Sequence, residues 1–298
     1  MVEIPSVPSL NLAFRRLVAS CLVAGGLLSL GAPGASAETL RFAVGPFQAT
    51  PSDTKTAYEP FFAYIAQQLD ADYELAVTND WAGIAVALAN GQADVAWMGP
   101  WGYVLAHNEG GAEAVATVKY DGEPTYHAII LARPDVPIES WPEDAEGLSI
   151  SFADVGSTSG WLIPHFWFHE RSIDPRSYFG YRDGASHAAN VMAVANGQVD
   201  LATDYDRNLA AMIERGIVDR DDLRIVWRSD PLPNDPLVVR EGLDPEIVSR
   251  LQEIVVGIGE EQAQEIMPPH YTGWVPADHE SYAMIENAGR ALGKLKQR

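Results

Sequence analysis

Two eight-residue segments, ANGQADVA at 89–96 and ANGQVDLA at 195–202, differ at two positions and start 106 residues apart. Each reads as a helix end, a glycine stop and a buried strand. Glycine suits the left-handed position just past a helix, and the strand that follows carries apolar residues around a single Asp. Joints of this kind also recur by chance in α/β proteins. The pair therefore sets an expectation, two similarly built lobes, which the rest of the chain has to support.

The surrounding pattern supports it. TLRFAVG (39–45) is β-like, 54–69 is helix-like, YELAV (73–77) is a short strand and 80–90 a second helix. ADVAWMG (93–99) reads as a buried strand, WGYVLAHNE as a helix, and AVATVKY and YHAIILA as strands. Strand and helix alternate throughout, which predicts an α/β fold with a largely parallel sheet in each half. Two proline-bearing segments, 133–142 and 230–236, are suited to carry the chain from one half to the other and back. That places one lobe at 38–130 plus 232–298 and the other at 131–231, joined by two crossing strands, an arrangement suited to hinge closure on a ligand. The tail beyond Asp244 reads as helical, interrupted at Pro268-Pro269.

Residues 1–37 read as an export signal: Arg15 and Arg16 precede an apolar run from Leu17 to Leu30, and Ala35-Ser36-Ala37 offers small residues for cleavage. The run is shorter than the roughly 20 apolar residues that span a bilayer core, so the exported chain is expected in the periplasm. Val18-Ala19-Ser20-Cys21 resembles a lipoprotein box, but it follows the arginines at once and leaves the apolar run behind it, so a lipid tether at Cys21 is not expected. Cys21 is the single cysteine. Without the signal the chain has no thiol for a disulfide, a metal site or a nucleophile.

Removing Glu3, Arg15 and Arg16 from 41 acidic and 20 basic side chains leaves 40 and 18, a net charge of −22. Nucleic acid is excluded as a partner. The acidic field also repels small anions at long range, so an anion site in this chain must be a local cluster of donors.

Such a cluster is present. Gly156-Ser157-Thr158-Ser159-Gly160 follows the strand LSISFAD and precedes the helix-like WLIPHFWFHE, so three hydroxyls and the free N–H groups of a first helical turn coincide. Simple N-capping by Ser157 or Thr158 is the competing reading. No Lys follows the last glycine, as a Walker loop requires, and Thr158 stands where a nucleophile elbow needs serine. No G-x-G-x-x-G follows a strand, so no cofactor is implied. His187, after the capping Ser186, opens another helix and can donate to an anion, or can be an ordinary surface histidine. Asp235, within Pro233–Pro236 at the second crossing, can accept a hydrogen bond from a protonated ligand oxygen or serve a turn. His165 and His169 are four apart on one helix without the inner Glu of a zinc helix, so no metal is expected. Phe47, Tyr58, Trp97, Trp101, Tyr103, Tyr126 and Tyr205 lie near strand ends, where an aromatic wall suits a ligand with a P–H or P–C face and equally suits a core.

These segments resemble the phosphite and phosphonate periplasmic binding proteins of ABC importers. The resemblance is carried, in order, by DVAWMGPWGYVLA, ATVKYDGEPTYHAIIL, GSTSGWLIP, SHAANVMAVANGQVDLAT and IVWRSDPLPNDPLVV. It implies a type II two-lobed binding-protein fold, anion capture by Ser157, Thr158 and Ser159, and pocket contacts from His187 and Asp235, with Tyr58, Trp101, Tyr126 and Tyr205 as further wall. It also implies a monomer without cofactor or catalysis, which delivers a small phosphorus oxyanion to a membrane permease. Family members that hold an aminoalkyl group place an acidic residue after the corresponding strand, where this chain has Asp204-Tyr205-Asp206-Arg207. Arg207 argues against an amine-bearing ligand, and the GPWGYV and STSGWLIP versions are most similar to the phosphite branch. Methylphosphonate, hypophosphite and other alkylphosphonates remain alternative ligands. A sensor domain sharing the same pocket, and an exported phosphatase using His165, His169 or His187, are the alternatives of other classes.

Overall fold

The computed structural model describes residues 39–48 and 50–296, so the expected export signal and Cys21 lie outside the described residues. The strands are β1 (Thr39–Val44), β2 (Asp72–Val77), β3 (Val95–Trp97), β4 (Glu113–Tyr120), β5 (Thr125–Tyr126), β6 (Ala128–Ala132), β7 (Ser149–Ala153), β8 (Gly180–Ala185), β9 (Leu201–Tyr205), β10 (Arg224–Arg228), β11 (Leu232–Pro233), β12 (Pro236–Val239) and β13 (Tyr271–Pro276). The helices are α1 (Pro51–Leu69), α2 (Trp81–Ala89), α3 (Pro100–Gly110), α4 (Ile163–His169), α5 (Pro175–Tyr178), α6 (His187–Ala195), α7 (Asp206–Glu214), α8 (Pro245–Val256), α9 (Glu260–Ile266) and α10 (Ala283–Ala291).

One sheet runs β2-β1-β3-β12-β4-β13 and a second β8-β7-β9-β6-β10. In each the first strand lies between the second and third, and a strand from the other end of the half sits beside the third. The two sheets thus share one winding, as the repeat predicts. ANGQADVA ends α2 and enters β3; ANGQVDLA ends α6 and enters β9. Gly91 and Gly197 take φ of 63° and 68°, the left-handed stop that glycine adopts freely. The Asp of each copy holds the start of the neighbouring first strand: Asp94 accepts from the Arg41 N–H and Asp200 from the Ser149 N–H, both at 2.9 Å.

Two expectations need correction. The sheets are mixed, not largely parallel: β1 pairs parallel with β2 and β3, and β7 with β8 and β9, whereas β12, β4, β13, β6 and β10 all pair antiparallel. β12 and β6 enter their sheets from the crossings and run against the third strands beside them; β4 and β10, each reached from the third strand through a helix, pair antiparallel because they lie next to β12 and β6. The first crossing also ends within YHAIILA, before Ala128, instead of following it. β6 lies wholly in the second sheet, so the chain leaves the first sheet at Tyr120 and crosses through 121–127, where β5 pairs with β11 of the returning segment. A boundary at residue 130 would cut β6 in half.

Alternation along the strands feeds separate cores. Leu40, Phe42 and Val44 of β1 pack with Tyr58, Phe61, Phe62 and Ile65 of α1, while Ala43 faces the other way. In β6, Ile129 and Leu131 pack with Val191 and Val194 of α6, and Ile130 joins a core that continues to Trp101 and Tyr103 of α3. The C-terminal α10 packs on α3 and on α4, bridging the two halves.

Candidate anion-binding site

After β7, Asp154 turns the chain by accepting from the Gly156 N–H and, through its backbone carbonyl, from the Ser157 N–H. A wide helical turn over Thr158–Leu162 then leads into α4. Gly156 is required there: a Cβ would lie 2.8 Å from the backbone N of Ala82 and from the Cβ of Trp81, so only glycine lets this loop approach the start of α2. Gly160 is similarly confined, with a Cβ falling 2.3 Å from that of Ala153 and 2.8 Å from the His187 ring. Thr203 pins the turn from β9, donating to the Gly160 carbonyl at 2.6 Å and accepting from the Ala153 N–H at 3.1 Å.

Ser157, Thr158 and Ser159 are all buried. The Ser157 hydroxyl accepts from the Gly160 N–H at 3.1 Å, the capping interaction anticipated for it, and also lies 3.0 Å from Nε2 of His187. Thr158 Oγ1 accepts from the Trp101 N–H at 2.8 Å, so the first turn of α3, from one half, meets the hydroxyl cluster of the other. Tyr126, at the crossing, reaches the side chains of Thr158 and Ser159, and its hydroxyl is held protonated far into the alkaline range, chiefly by burial. The hydroxyl cluster is therefore an array of neutral donors, the type of group that binds an oxyanion without a net positive charge.

His187 opens α6, with Ser186 capping the helix through the Ala189 N–H. Its Nδ1 lies 3.1 Å from Oδ1 of Asp204, a fully buried carboxylate at the end of β9. The Asn208 amide donates to both Asp204 oxygens, at 3.0 and 3.1 Å. Burial raises the Asp204 pKa, against the hydrogen bonds from His187 and Asn208. With Nδ1–H committed to Asp204, Nε2 is the atom presented to the cluster. Sequence reasoning did not single out Asp204; its signal was a carboxylate at the C-terminal end of a buried strand, where a core residue is expected.

Asp235 is also buried, and Arg207 from the start of α7 reaches it, Nη2 to Oδ2, at 3.3 Å. Burial raises the Asp235 pKa, and the Arg207 charge opposes that rise. A cavity of about 30 Å3 brings together Ser157, Thr158, Ser159, His187, Asp235, Tyr126 and Tyr205, with Trp81, Gly99, Gly156 and Arg207 completing it. Tyr205 stands perpendicular to the His187 ring with centroids 4.7 Å apart.

Two of the aromatic candidates are placed elsewhere. The Trp101 indole turns away, its Nε1–H donating to the Val155 carbonyl at 3.2 Å and its ring lying beside Gly289 of α10; only its backbone N–H faces the cluster. Tyr58 stacks on Phe47 and meets Trp97 edge-on in the α1 core, and lines a larger neighbouring cleft with Tyr271. Trp81, at the first position of α2 and edge-on to Phe47, supplies the aromatic surface instead. Nothing in its local sequence marks it. His165 and His169 line a separate hollow with Arg176 and Lys294, apart from His187. No group of three potential metal ligands occurs among the described residues.

The profile of the family described as "ABC transporter, phosphonate, periplasmic substrate-binding protein" matches residues 42–282, most of the chain. The chain belongs to this family. A phosphonates-binding periplasmic protein of Escherichia coli K12 is 26% identical over 226 residues, covering 74% of this chain and 67% of the relative. The phosphate-import protein PhnD of Mycolicibacterium smegmatis is 28% identical over 226 residues, covering 72% and 70%. A crystal structure of a binding-protein component of an ABC phosphonate transporter from Pseudomonas aeruginosa superposes with a TM-score of 0.75 at 26% identity, covering 85% of each chain. PhnD1 of Prochlorococcus marinus, solved with methylphosphonate, shares the fold with a TM-score of 0.75 at 16% identity, over 87% of this chain and 99% of that one. As a phosphonate-type substrate-binding protein, the chain has the type II binding-protein fold and serves an ABC transporter in the periplasm; its relatives are binding proteins, not enzymes. The Asp204–His187–Ser157 series, which in a hydrolase would activate a nucleophile, stands in a family that binds and releases its substrate unchanged.

Proposed function

We propose that this substrate-binding protein captures phosphite in the cleft between two lobes and delivers it, as a monomer, to the permease of its transporter. The observation that carries the reading is the convergence of three neutral hydroxyls, His187 and Asp235 on one small, aromatic-flanked cavity. Ser157, Thr158 and Ser159 take oxygens of the anion, His187, with a proton on both ring nitrogens, donates from Nε2, and Asp235 accepts from a protonated oxygen. Tyr126, Tyr205 and Trp81 face the substituent that is not oxygen; Tyr58 backs Trp81 through Phe47, and Trp101 contributes its backbone N–H. Phosphate would place an oxygen where phosphite presents P–H. Leaving that oxygen desolvated against aromatic rings costs about 1–3 kcal/mol, roughly a 5- to 150-fold loss in affinity.

In this reading one lobe comprises 38–120 with 236–298 and the other 128–231, the first boundary being earlier than residue 130 because β6 belongs to the second sheet. β5 and β11 form the paired crossing about which the lobes move. Methylphosphonate, the ligand of the Prochlorococcus protein, is the leading competitor, and phosphate import by the Mycolicibacterium relative makes phosphate the necessary control. A crystal structure of the protein grown with phosphite tests the placement. Phosphorus within hydrogen-bonding reach of the Ser157–Ser159 hydroxyls and His187 Nε2 is the expected result; phosphite bound elsewhere, or a cavity that fills with phosphate from an equimolar mixture, contradicts it.

A further inference from the structure

Arg207 is buried but incompletely used. Its side chain is about nine-tenths buried, with 10% exposure, and Nη2 meets Asp235 at 3.3 Å. Nε and Nη1 have no hydrogen-bond acceptor among the described residues. The guanidinium carbon lies 4.8 Å from the Tyr126 ring, 4.9 Å from Tyr120 and 5.6 Å from Tyr205, so three aromatic faces hold the cation in place. Unsatisfied N–H groups on a buried cation are unfavourable, and a ligand oxygen is the natural acceptor for them.

Arg207 also has a position that its charge alone does not explain. It lines the small cavity beside Ser157–Ser159 and, on its other side, a cleft of about 300 Å3 bounded by Tyr58, Tyr120 and Tyr271. With Tyr205, which also lines both, the side chain therefore stands as the partition between the two spaces. Asp235, the carboxylate available to a positively charged ligand substituent, already carries this guanidinium as its counter-ion.

We infer that Arg207 is the specificity-determining residue of this site: it walls the anion cavity off from the larger cleft, balances the charge of Asp235 through Oδ2, and supplies donors to an oxygen of the bound anion. The site so built takes phosphorus oxyanions with a small uncharged fourth substituent, hydrogen or methyl, and rejects phosphonates that carry an ammonium group. A ligand ammonium would meet a guanidinium in low dielectric with its carboxylate partner already engaged. The inference rests on the anion-binding role proposed above for the same cavity.

Titration calorimetry of the wild-type chain and of Arg207→Ala and Arg207→Lys variants tests it, with phosphite, methylphosphonate, propylphosphonate and 2-aminoethylphosphonate as ligands. Propylphosphonate and 2-aminoethylphosphonate match in size and differ in charge. The wild type should bind phosphite and methylphosphonate at least about tenfold more tightly than either larger ligand. Arg207→Ala should lose about tenfold or more in phosphite affinity, for want of the donors, and should shift in favour of 2-aminoethylphosphonate over propylphosphonate by about tenfold. Arg207→Lys keeps a cation on Asp235, so it should continue to reject the ammonium ligand, and it controls for loss of fold in the alanine variant. Unchanged ligand ranking in Arg207→Ala, or equal acceptance of 2-aminoethylphosphonate by the wild type, overturns the role of Arg207 and leaves the anion site standing. A wild type that binds none of the four overturns the anion site itself, and this inference with it.

Discussion

Asp204 fixes how His187 can act. A fully buried carboxylate accepts from Nδ1–H and from Asn208, so the imidazole cannot turn without breaking its Nδ1–H bond and leaving the buried carboxylate to Asn208 alone. Asp204→Ala should lower stability by about 1–3 kcal/mol in urea unfolding, the usual range for donors left unsatisfied, and should weaken phosphite binding; unchanged values of both would remove Asp204 from the account. His165 makes a prediction of opposite character. Burial against Phe152 and Trp161 lowers its pKa to about 4, and it sits neutral, with Nδ1 near the Trp161 carbonyl at 2.7 Å and Nε2 near the Tyr181 hydroxyl at 3.1 Å. Unfolding lets it take up a proton at the ordinary histidine pKa near 6.5. Its contribution is therefore complete above about pH 6.5 and is lost as the pH falls toward 4. His165→Phe should flatten the acid side of the stability–pH curve by about 1 kcal/mol per pH unit in that window; an identical slope in the variant would contradict the buried neutral state. That Ser157, Thr158, Ser159 and His187 converge on one cavity was legible in the sequence because a hydroxyl run between strand and helix, and a histidine after a capping serine, have few places to point. Trp101 was not, because a sequence places an aromatic residue at a helix start without showing which side its ring takes. Trp81 lacked even a motif.

Between residue and molecule lie the repeated elements. In both copies an Asp between the glycine stop and the third strand reaches across to the first strand, so the repeat encodes a side-chain clamp as well as a helix end. Asp94 serves more partners than Asp200. It accepts from the Arg41 side chain at 2.7 and 2.9 Å and from Arg240 at 2.7 Å, whereas Asp200 takes the Ser149 backbone and hydroxyl at 2.9 and 2.6 Å. Burial acts to raise the pKa of Asp94, but the hydrogen bonds from Arg41 and Arg240 outweigh it and the net shift is downward. Asp94→Ala should accordingly destabilise more than Asp200→Ala, by about 1 kcal/mol or more, in paired urea titrations. Equal losses would mean that the arginines add nothing beyond the backbone clamp. The helices were legible almost to the residue where Asp80 and Ser186 cap them. Strand direction was not, since β6 and β12 take theirs from the crossings before Ala128 and Pro236, whose residues do not show which way the next strand runs.

For the whole molecule, the repeat was the most informative part of the sequence: it announced two halves of one winding, which the strand orders of the two sheets share. What it did not show is that α3 of one half and the Ser157–Ser159 turn of the other would meet across the cleft, nor that α10 would lie over both. Those contacts arise from the way the sheets are brought together, a property of no single segment. A chain with a net charge of −22 after removal of 1–37 gains nothing from long-range attraction when it binds an anion, so capture has to come from the enclosed donors alone. Titration calorimetry of residues 38–298 with phosphite, then with phosphate under the same buffer, measures that directly. The account predicts one site per chain, with phosphite bound at least about tenfold more tightly than phosphate. No phosphite binding, or phosphate bound equally well, would contradict it.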